Sequence, residues 1–283
     1  MIASAASPLL AALLALGAAA AWGSGDFTSG MAARRVGPFH TVFIAYLTGL
    51  VVLAAAALAR SEAFSSTADL LWGALAGLAG MAGLGFLMRG FSTGRMGVVA
   101  PVSAVLATAI PVIFSAFFEG LPGGLQLGGF ALALASIWLL SRPEPLGGRP
   151  KGLGMALLAG LGFGLFFILL GQISEDAVFW PLVSGRISAC VLMTVYALSR
   201  RTALVPQNAP LGLLVLAGVL DAGGNLFFLL AVQMGRLDVT AVLASLYPAV
   251  TAVLAGLVAR ESLQRLQVIG VGAAVLAIVL ITI

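Results

Sequence analysis

The chain is divided at its middle by Ser141-Arg142-Pro143-Glu144-Pro145-Leu146-Gly147-Gly148-Arg149-Pro150-Lys151, which is its longest polar connection. Three prolines and two glycines favour an irregular linker over a helix at this place. On both sides of the linker the sequence consists almost entirely of apolar stretches about twenty residues long, enough for a helix to cross ~30 Å of hydrocarbon. The pattern therefore predicts two membrane repeats joined by a short polar linker.

The predicted fold is an all-α polytopic membrane protein with ten transmembrane helices, five in each half. Hydrophobic residues make up 61% of the 283 residues and charged residues 8%, whereas a soluble domain carries ~25% charged residues. The first five-helix repeat is expected at 1–141, a cytoplasmic linker at 142–151, and the second repeat at 152–283. The predicted spans are 8–27, 38–59, 69–90, 97–118, 124–141, 152–173, 179–199, 211–234, 238–259 and 265–282.

The two halves resemble each other when the first is shifted by 141 residues. The shift places Trp22-Gly23 on Phe163-Gly164, Phe86 on Phe227, Gly94-Arg95 on Gly235-Arg236, and Glu119 on Glu261 with one residue of slip. Helices rich in Ala, Gly and Leu also resemble one another without common origin, but the order and shared offset of these matches indicate an internal repeat.

The charged residues differ in sign from one set of loops to the other, and this asymmetry predicts orientation. Cytoplasmic loops carry an excess of Lys and Arg. The loops after spans 1, 3, 5, 7 and 9 contain or adjoin Arg34, Arg35, Arg89, Arg95, Arg142, Arg149, Lys151, Arg200, Arg201, Arg260 and Arg265. The opposite loops contain Arg60, Arg236, Glu62, Asp69, Glu119, Glu175, Asp176 and Asp238. We therefore expect the linker in the cytoplasm and both termini outside.

The odd number of spans in each repeat has a further consequence. Two five-span repeats joined by a short linker must enter the membrane in opposite senses. The sequence thus predicts inverted repeats around a central cavity, an architecture found in many secondary transporters.

Several function classes fit this chain poorly. One histidine, His40, and one cysteine, Cys190, cannot form a metal cluster or a catalytic set for a lipid-modifying enzyme. No nucleotide-binding loop is present for a primary pump, and the net charge of +4 follows from basic residues at helix ends rather than from a nucleic-acid surface. We expect no enzyme activity, cofactor, metal or nucleic acid. A passive channel is a weaker alternative, because a channel usually needs a ring of repeated polar groups.

Three places in the sequence carry a family resemblance: Ala21-Trp22-Gly23-Ser24-Gly25-Asp26-Phe27, Arg186, and the region with Thr240-Ala241-Val242-Leu243-Ala244-Ser245-Leu246-Tyr247-Pro248, Ala259-Arg260-Glu261-Ser262-Leu263 and Gly270-Val271-Gly272. They resemble the drug/metabolite transporter superfamily, in particular its ten-helix EamA type. The resemblance implies an inner-membrane carrier of amino acids, other metabolites or drugs, with amino-acid exporters such as the aromatic-amino-acid and paraquat exporters nearest. Its expected partners are a small-molecule substrate and the bilayer, and it is expected as a monomer or weak homodimer.

The chain departs from the family pattern in two respects. The position of the first repeat that matches Arg186 lies near Ala45 and Tyr46, so this repeat lacks the arginine. Many members are also drawn with cytoplasmic termini, whereas the charges of this chain favour external ones.

Ionisable residues inside a membrane span are candidates for function. Arg186 and Asp221 lie near the middles of spans 7 and 8. They are interpreted either as groups that hold a substrate carboxylate and a substrate amine or proton, or as a structural ion pair. Asn225 follows Asp221 by one helical turn and shares its face. Asp26, near the inner end of span 1, is the third such candidate; the alternative is an interfacial residue, which is more common at the end of a span.

Further candidates surround the predicted cavity. Aromatic, hydroxyl and apolar side chains suit a small-molecule site with a few placed polar groups; the candidates of this kind are Trp22, Tyr46, Met81, Ser103, Phe163, Ser245 and Tyr247. Proline removes a backbone hydrogen bond and can kink a helix, so Pro101, Pro111 and Pro248 predict two symmetry-related kinked helices, either static or flexing during transport. Glu119 and Glu261 are interpreted as salt-bridge or capping residues rather than gates.

Overall fold

The computed structural model describes residues 2–93, 96–140, 152–206, 209–258 and 265–282, and these residues form helices and connecting loops without a strand. The helices are α1 (Ile2–Val36), α2 (Pro38–Ala59), α3 (Thr67–Thr93), α4 (Met96–Phe118), α5 (Gly124–Leu140), α6 (Leu153–Leu170), α7 (Phe179–Arg200), α8 (Leu211–Met234), α9 (Leu237–Ala244), α10 (Tyr247–Leu257) and α11 (Arg265–Thr282). The linker 142–151, Arg95 and Glu261 lie outside the described residues.

The ten predicted spans all correspond to helical structure, with α9 and α10 sharing the ninth span. Within the described ranges, six helices are long and apolar enough to cross a membrane, and four shorter apolar helices account for the other spans. The chain is therefore a multi-pass membrane protein. Helix α1 extends to Val36, well beyond the predicted end at residue 27, because α8 and α10 pack against its polar Ser24–Asp26 segment.

The ninth span, predicted over 238–259 with a kink at Pro248, is divided into two helices. Helix α9 ends at Ala244 and α10 begins at Tyr247. The backbone N–H of Leu246 bonds to the carbonyl of Leu243, a tighter pattern than the α-helical one. Pro248 explains the break, because it has no N–H to donate to the carbonyl of Ala244. Helix α4 runs unbroken through Pro101 and Pro111, so the predicted pair of proline-disrupted helices is present in only one repeat.

The repeats pack against each other in reciprocal pairs. Helices α6, α7, α8 and α9–α10 are the equivalents of α1, α2, α3 and α4. Three contacts between the repeats therefore have symmetry-related counterparts: α1 packs on α8 as α3 packs on α6, α4 packs on α6 as α1 packs on α10, and α2 packs on α8 as α3 packs on α7. Individual contacts obey the same rule: Trp22 lies against Gly224 and Phe163 against Gly83, and both contacts are related by the 141-residue shift. This packing confirms the internal repeat and its register.

Equivalent helices of the two repeats run in opposite directions. Phe39 near the start of α2 contacts Tyr196 near the end of α7, with ring centroids 5.8 Å apart, whereas Gly49 later in α2 contacts Arg186 early in α7. In the fifth-helix pair, Ser136 of α5 donates a 2.8 Å hydrogen bond to the carbonyl of Gly270 early in α11. Because the residue numbers rise along one helix as they fall along its equivalent, the repeats are inverted.

One face of the bundle is closed by bonds between loops, and we call it the latched face. It contains the loops 60–66, 119–123, 171–178 and 235–236. The Arg236 guanidinium donates to the carbonyls of Glu119 at 3.0 Å and Gly120 at 2.6 Å and pairs with Asp238 at 2.8 Å. Hydrogen bonding to Asp238 raises the pKa of Arg236 above its ordinary value. The Glu119 carboxylate accepts from the N–H of Leu237, which agrees with its predicted capping role.

Glu62 forms the second latch between the repeats. Its carboxylate accepts hydrogen bonds from the N–H groups of Val178 at 3.0 Å and Phe179 at 2.9 Å, at the start of α7. Its carbonyl accepts a 3.1 Å bond from the Trp180 indole. A carboxylate at a helix N-terminus satisfies free N–H groups and interacts favourably with the helix dipole. Glu62 of the first repeat therefore caps a helix of the second.

We expect Glu62→Gln to lower the stability of the folded protein by about 1–2 kcal/mol, because the charge-assisted bonds to the α7 N-terminus are lost. Thermal unfolding in detergent measures the effect. Glu175→Gln is the matched control, because Glu175 is an exposed acid in the adjoining loop 171–178. Equal melting temperatures for the two variants would contradict the latch.

Candidate functional site

Arg186 lies at the centre of the bundle with only 2% of its side chain exposed. Its guanidinium pairs with the Asp221 carboxylate at 2.5 Å and lies 4.4 Å from the centre of the Tyr46 ring. Gly49 makes room for it, because a Cβ at that position would lie 3.1 Å from the arginine Nε. Helices α2, α7 and α8 thus converge on one buried cation, which an aromatic face and a carboxylate stabilise together.

An aromatic cluster lies next to this ion pair. The Trp22 indole donates a 3.0 Å hydrogen bond to Oδ1 of Asn225. Its ring lies 5.8 Å from Phe167 and 5.7 Å from Phe228, and it packs on the bare backbone of Gly224. Phe166, with its centroid 6.3 Å from Trp22, extends the cluster. The hydrogen bond and ring contacts hold the indole in one orientation beside Asn225, one turn from Asp221.

A small cavity lies between the ion pair and the aromatic cluster. Its volume is about 20 Å³, roughly the room for one water molecule. The residues that line it are Tyr46, Gly73, Ala76, Gly77, Phe166, Leu170, Leu182, Gly185, Arg186 and Asn225. Polar groups from both repeats therefore meet at one enclosed point in the middle of the bundle.

A larger groove of about 640 Å³ lies on the side of this point away from the latched face. It is mainly apolar, and its lining residues are Pro38, Phe39, Val42, Met81, Leu84, Gly85, Arg89, Leu192, Met193 and Tyr196. Along the same three helices, these residues precede the cavity residue of α2 and follow the cavity residues of α3 and α7, about one to three turns away. The groove and the cavity are therefore consecutive along one seam between the repeats.

Asp26 lies further from the end of its helix than the sequence predicts. It is ten residues before the end of α1 and one turn beyond Trp22 on the same face. Its side chain is exposed, and the preceding Gly25 packs on α8 beside the backbone of Asp221. The predicted first span ends at residue 27, whereas α1 continues to Val36.

Five of the predicted site residues converge, namely Trp22, Tyr46, Arg186, Asp221 and Asn225. The others lie around them. Phe163 packs on Gly83 of α3, Met81 lines the groove, Ser103 is buried on α4, Ser245 is buried in the break between α9 and α10, and Tyr247 begins α10 beside Gly23.

Sequence reasoning did not identify Gly49 or Phe228 as parts of the site. Gly49 is one of 36 glycines, and nothing local separates it from those that pack helices together. Phe228 lies one helical turn after Gly224 and three residues after Asn225, so all three share one face of α8. This spacing could have predicted Phe228 as a site residue. The structure shows no group of three or more His, Cys, Asp or Glu placed to hold a metal among its described residues.

Comparison with known proteins agrees with this architecture. The sequence profile described as the EamA-like transporter family matches the chain twice, over residues 9–142 and 150–283. No curated protein matches the chain. A solved crystal structure is similar over 95% of both chains, with a TM-score of 0.75 and 19% sequence identity. At this identity the likeness shows a shared fold.

Proposed function

Because the chain belongs to the EamA-like transporter family, which points to a transporter rather than an enzyme, we propose that it is a secondary-active carrier that exports amino acids or similar small metabolites by alternating access. The observation that carries this proposal is the pair of a buried Arg186 with a half-buried Asp221, which presents one positive and one negative group at the meeting point of two inverted repeats. A zwitterion carries the same two charges. It can replace each partner of the pair with its own carboxylate and amine.

The aromatic cluster supports this substrate class. Trp22, Phe167 and Phe228 form an apolar wall with the Asn225 amide beside it. Small-molecule sites usually combine such walls with a few fixed polar groups. The side chain of an amino acid would lie against the rings while its charged groups exchange with Arg186 and Asp221. The small enclosed cavity then expands only when substrate separates the ion pair.

The unequal closure of the two sides supports alternating access. The α7–α8 seam is joined by Arg186 and Asp221, and the latched face above it is bonded between repeats. The symmetry-related seam lies between α2 and α3, where Ala45 and Gly80 occupy the positions equivalent to Arg186 and Asp221. No ion pair can form between these two residues, and the groove lies along this seam. This arrangement corresponds to a carrier closed on the latched face and open toward the other.

The charge bias supplies the proposed orientation. The latched face carries Glu62, Asp69, Glu119 and Asp238, and the opposite ends of the helices carry most of the arginines. We propose that the latched face and both termini lie outside the cell membrane and that the groove opens to the cytoplasm. The carrier works in the inner membrane as a monomer or weak homodimer, without nucleic acid.

A carrier of drugs or other metabolites with the same fold is the second candidate. The apolar lining and the volume of about 640 Å³ of the groove favour it, since a bulky hydrophobic compound fits such a space better than a small zwitterion does. A passive channel is less well supported, because the Arg186–Asp221 pair and the latched face block a continuous path.

Transport into proteoliposomes tests the proposal. Vesicles loaded with a mixed pool of unlabelled amino acids are expected to accumulate a labelled amino acid by exchange, saturably and only when the pool is inside. Asp221→Asn is expected to reduce this exchange at least tenfold, because the group that binds the amine is lost, whereas Asp176→Asn in an external loop leaves it unchanged. Uptake of hydrophobic cations but of no amino acid would favour the second candidate, and non-saturable flux would indicate a channel.

A further inference from the structure

The charges at the centre of the bundle do not balance. Arg186 supplies one positive charge, and Asp221 neutralises it through the ion pair. Asp26 supplies a second carboxylate nearby, since the residue before it, Gly25, packs on the backbone of Asp221. No cation of the described part of the chain forms an ion pair with Asp26. The set formed by Asp26, Arg186 and Asp221, which we call the central triad, therefore has one negative charge too many.

The position of Asp26 excludes a lipid-facing explanation for its exposure. Leu9, Leu13 and Met31 mark the outward face of α1, with exposures of 60%, 56% and 39%. Asp26 lies instead on the face of Trp22, whose ring is inside the bundle. Just before it, Gly25 lies on α8, where a Cβ would be 3.6 Å from the backbone nitrogen of Asp221. Asp26 thus lies on the side of α1 that carries Trp22, away from the leucine face, and next to the glycine that packs on Asp221.

In the described part of the chain, the helices packed on α1 carry two basic side chains, His40 at the start of α2 and Arg265 at the start of α11, and neither forms an ion pair with Asp26. Helix α10 presents Tyr247, which interacts with Asp26, and α2 presents Tyr46 on the far side of Arg186. The neighbouring polar group of α8 is Asn225, whose Oδ1 is already bonded to Trp22. Asp26 is exposed, so water solvates its carboxylate as long as this side of the bundle is open. When the repeats close over it, the carboxylate loses that water, which is costly unless a positive charge joins it. The site therefore requires a mobile cation.

We propose that Asp26 is the cation-coupling residue of the carrier and takes up one positive charge in each transport cycle, as a proton or as the ammonium group of a substrate. This inference rests on the proposed carrier function. With the charge bound, the central triad is neutral and the repeats can move past each other. A proton adds to one carboxylate oxygen from water on one side and leaves to water on the other, so atoms and charge balance. In the substrate-free state Asp221 stays paired with Arg186, so Asp26 is the carboxylate that takes up the charge. When a substrate separates that pair, Asp221 and Asp26 share its ammonium group.

Infrared difference spectroscopy of the purified full-length protein tests the assignment without transport. The carbonyl band of protonated carboxyl groups, which His40 and Cys190 do not produce, is recorded as the pH falls from about 9 to about 6, above the range of ordinary acids. Wild-type protein is expected to gain about one protonated carboxyl and Asp26→Asn none. Asp221→Asn should also gain none, since Arg186 is then free to pair with Asp26. Arg186→Gln should gain about two, because both acids lose their cation.

A second arm distinguishes the two sources of positive charge. Ethylammonium chloride is added near neutral pH, with potassium chloride at the same concentration as the control. Loss of the carboxyl band with ethylammonium alone shows that Asp26 takes an ammonium group, and an unchanged band shows that it takes only a proton. Asp176→Asn serves as the control variant. A band that persists in Asp26→Asn, or that does not disappear in Asp221→Asn, overturns the proposal. If the band follows Asp26 but no amino acid is transported, the proposed substrate class fails while the cation site stands.

Discussion

Replacing Arg186 by leucine is expected to abolish transport and to lower stability by about 3–5 kcal/mol, because it leaves Asp221 without its cation in the middle of the bundle. The Arg186→Leu, Asp221→Leu double variant is expected to recover most of that stability, since two apolar side chains need no partner. It should remain inactive. Thermal unfolding in detergent and exchange in proteoliposomes measure the two quantities separately.

The double variant is informative because we expect its stability to recover while its transport does not. A purely structural ion pair would let the double variant recover transport together with stability. A pair that also binds substrate lets stability return alone. Arg60→Gln is the matched control, because Arg60 is an exposed arginine at the end of α2, and its loss should change neither quantity. Recovery of exchange by the double variant would remove Arg186 and Asp221 from the binding site.

The Gly77→Ala variant is expected to lose about 3 kcal/mol of stability. Gly73 and Gly77 of α3 lie directly on the backbone of α7, and a Cβ at Gly77 would collide with the carbonyl oxygen of Gly185. Such a clash is with backbone, so no side chain can rotate to relieve it. Helices α3 and α7 would have to separate, which disrupts the wall of the central cavity. The melting temperature and the yield of monodisperse protein measure the effect.

Gly128→Ala provides the comparison for this variant. A Cβ at Gly128 would meet nothing within 4 Å, and alanine is the better helix former by ~1 kcal/mol. We therefore expect this variant to be as stable as the wild type or slightly more so. If Gly77→Ala were equally harmless, the close approach of α3 and α7 would not be a requirement of the fold.

Much of the architecture follows from the sequence because a membrane restricts the choice of structure. Apolar stretches long enough to span it must be helices, and an odd number of them per repeat forces inversion. The 141-residue shift is visible in the sequence because it places Trp22 on Phe163, and the structure places these two rings on equivalent glycines.

The errors concern places where packing overrides local pattern. The polar run Ser24-Gly25-Asp26 predicts the end of a span, yet α8 and α10 cover it and α1 continues. Three prolines predict two kinked helices, yet only Pro248 coincides with a break. The sequence also leaves open whether Arg186 and Asp221 form an ion pair, because that contact depends on how α7 and α8 pack, which local sequence patterns do not determine.

The chemistry of the site resides in one copy of the duplicated fold, since Ala45 and Gly80 stand where Arg186 and Asp221 would recur. Two chemically identical repeats would give inward-open and outward-open conformations of equal free energy, so neither would be preferred in the absence of substrate. In the proposed carrier, closing one side brings the opposite charges of Arg186 and Asp221 together, whereas closing the other side brings together only the side chains of Ala45 and Gly80. We therefore expect the substrate-free carrier to prefer one orientation, and we expect substitutions at these two pairs of positions to be able to reverse that preference.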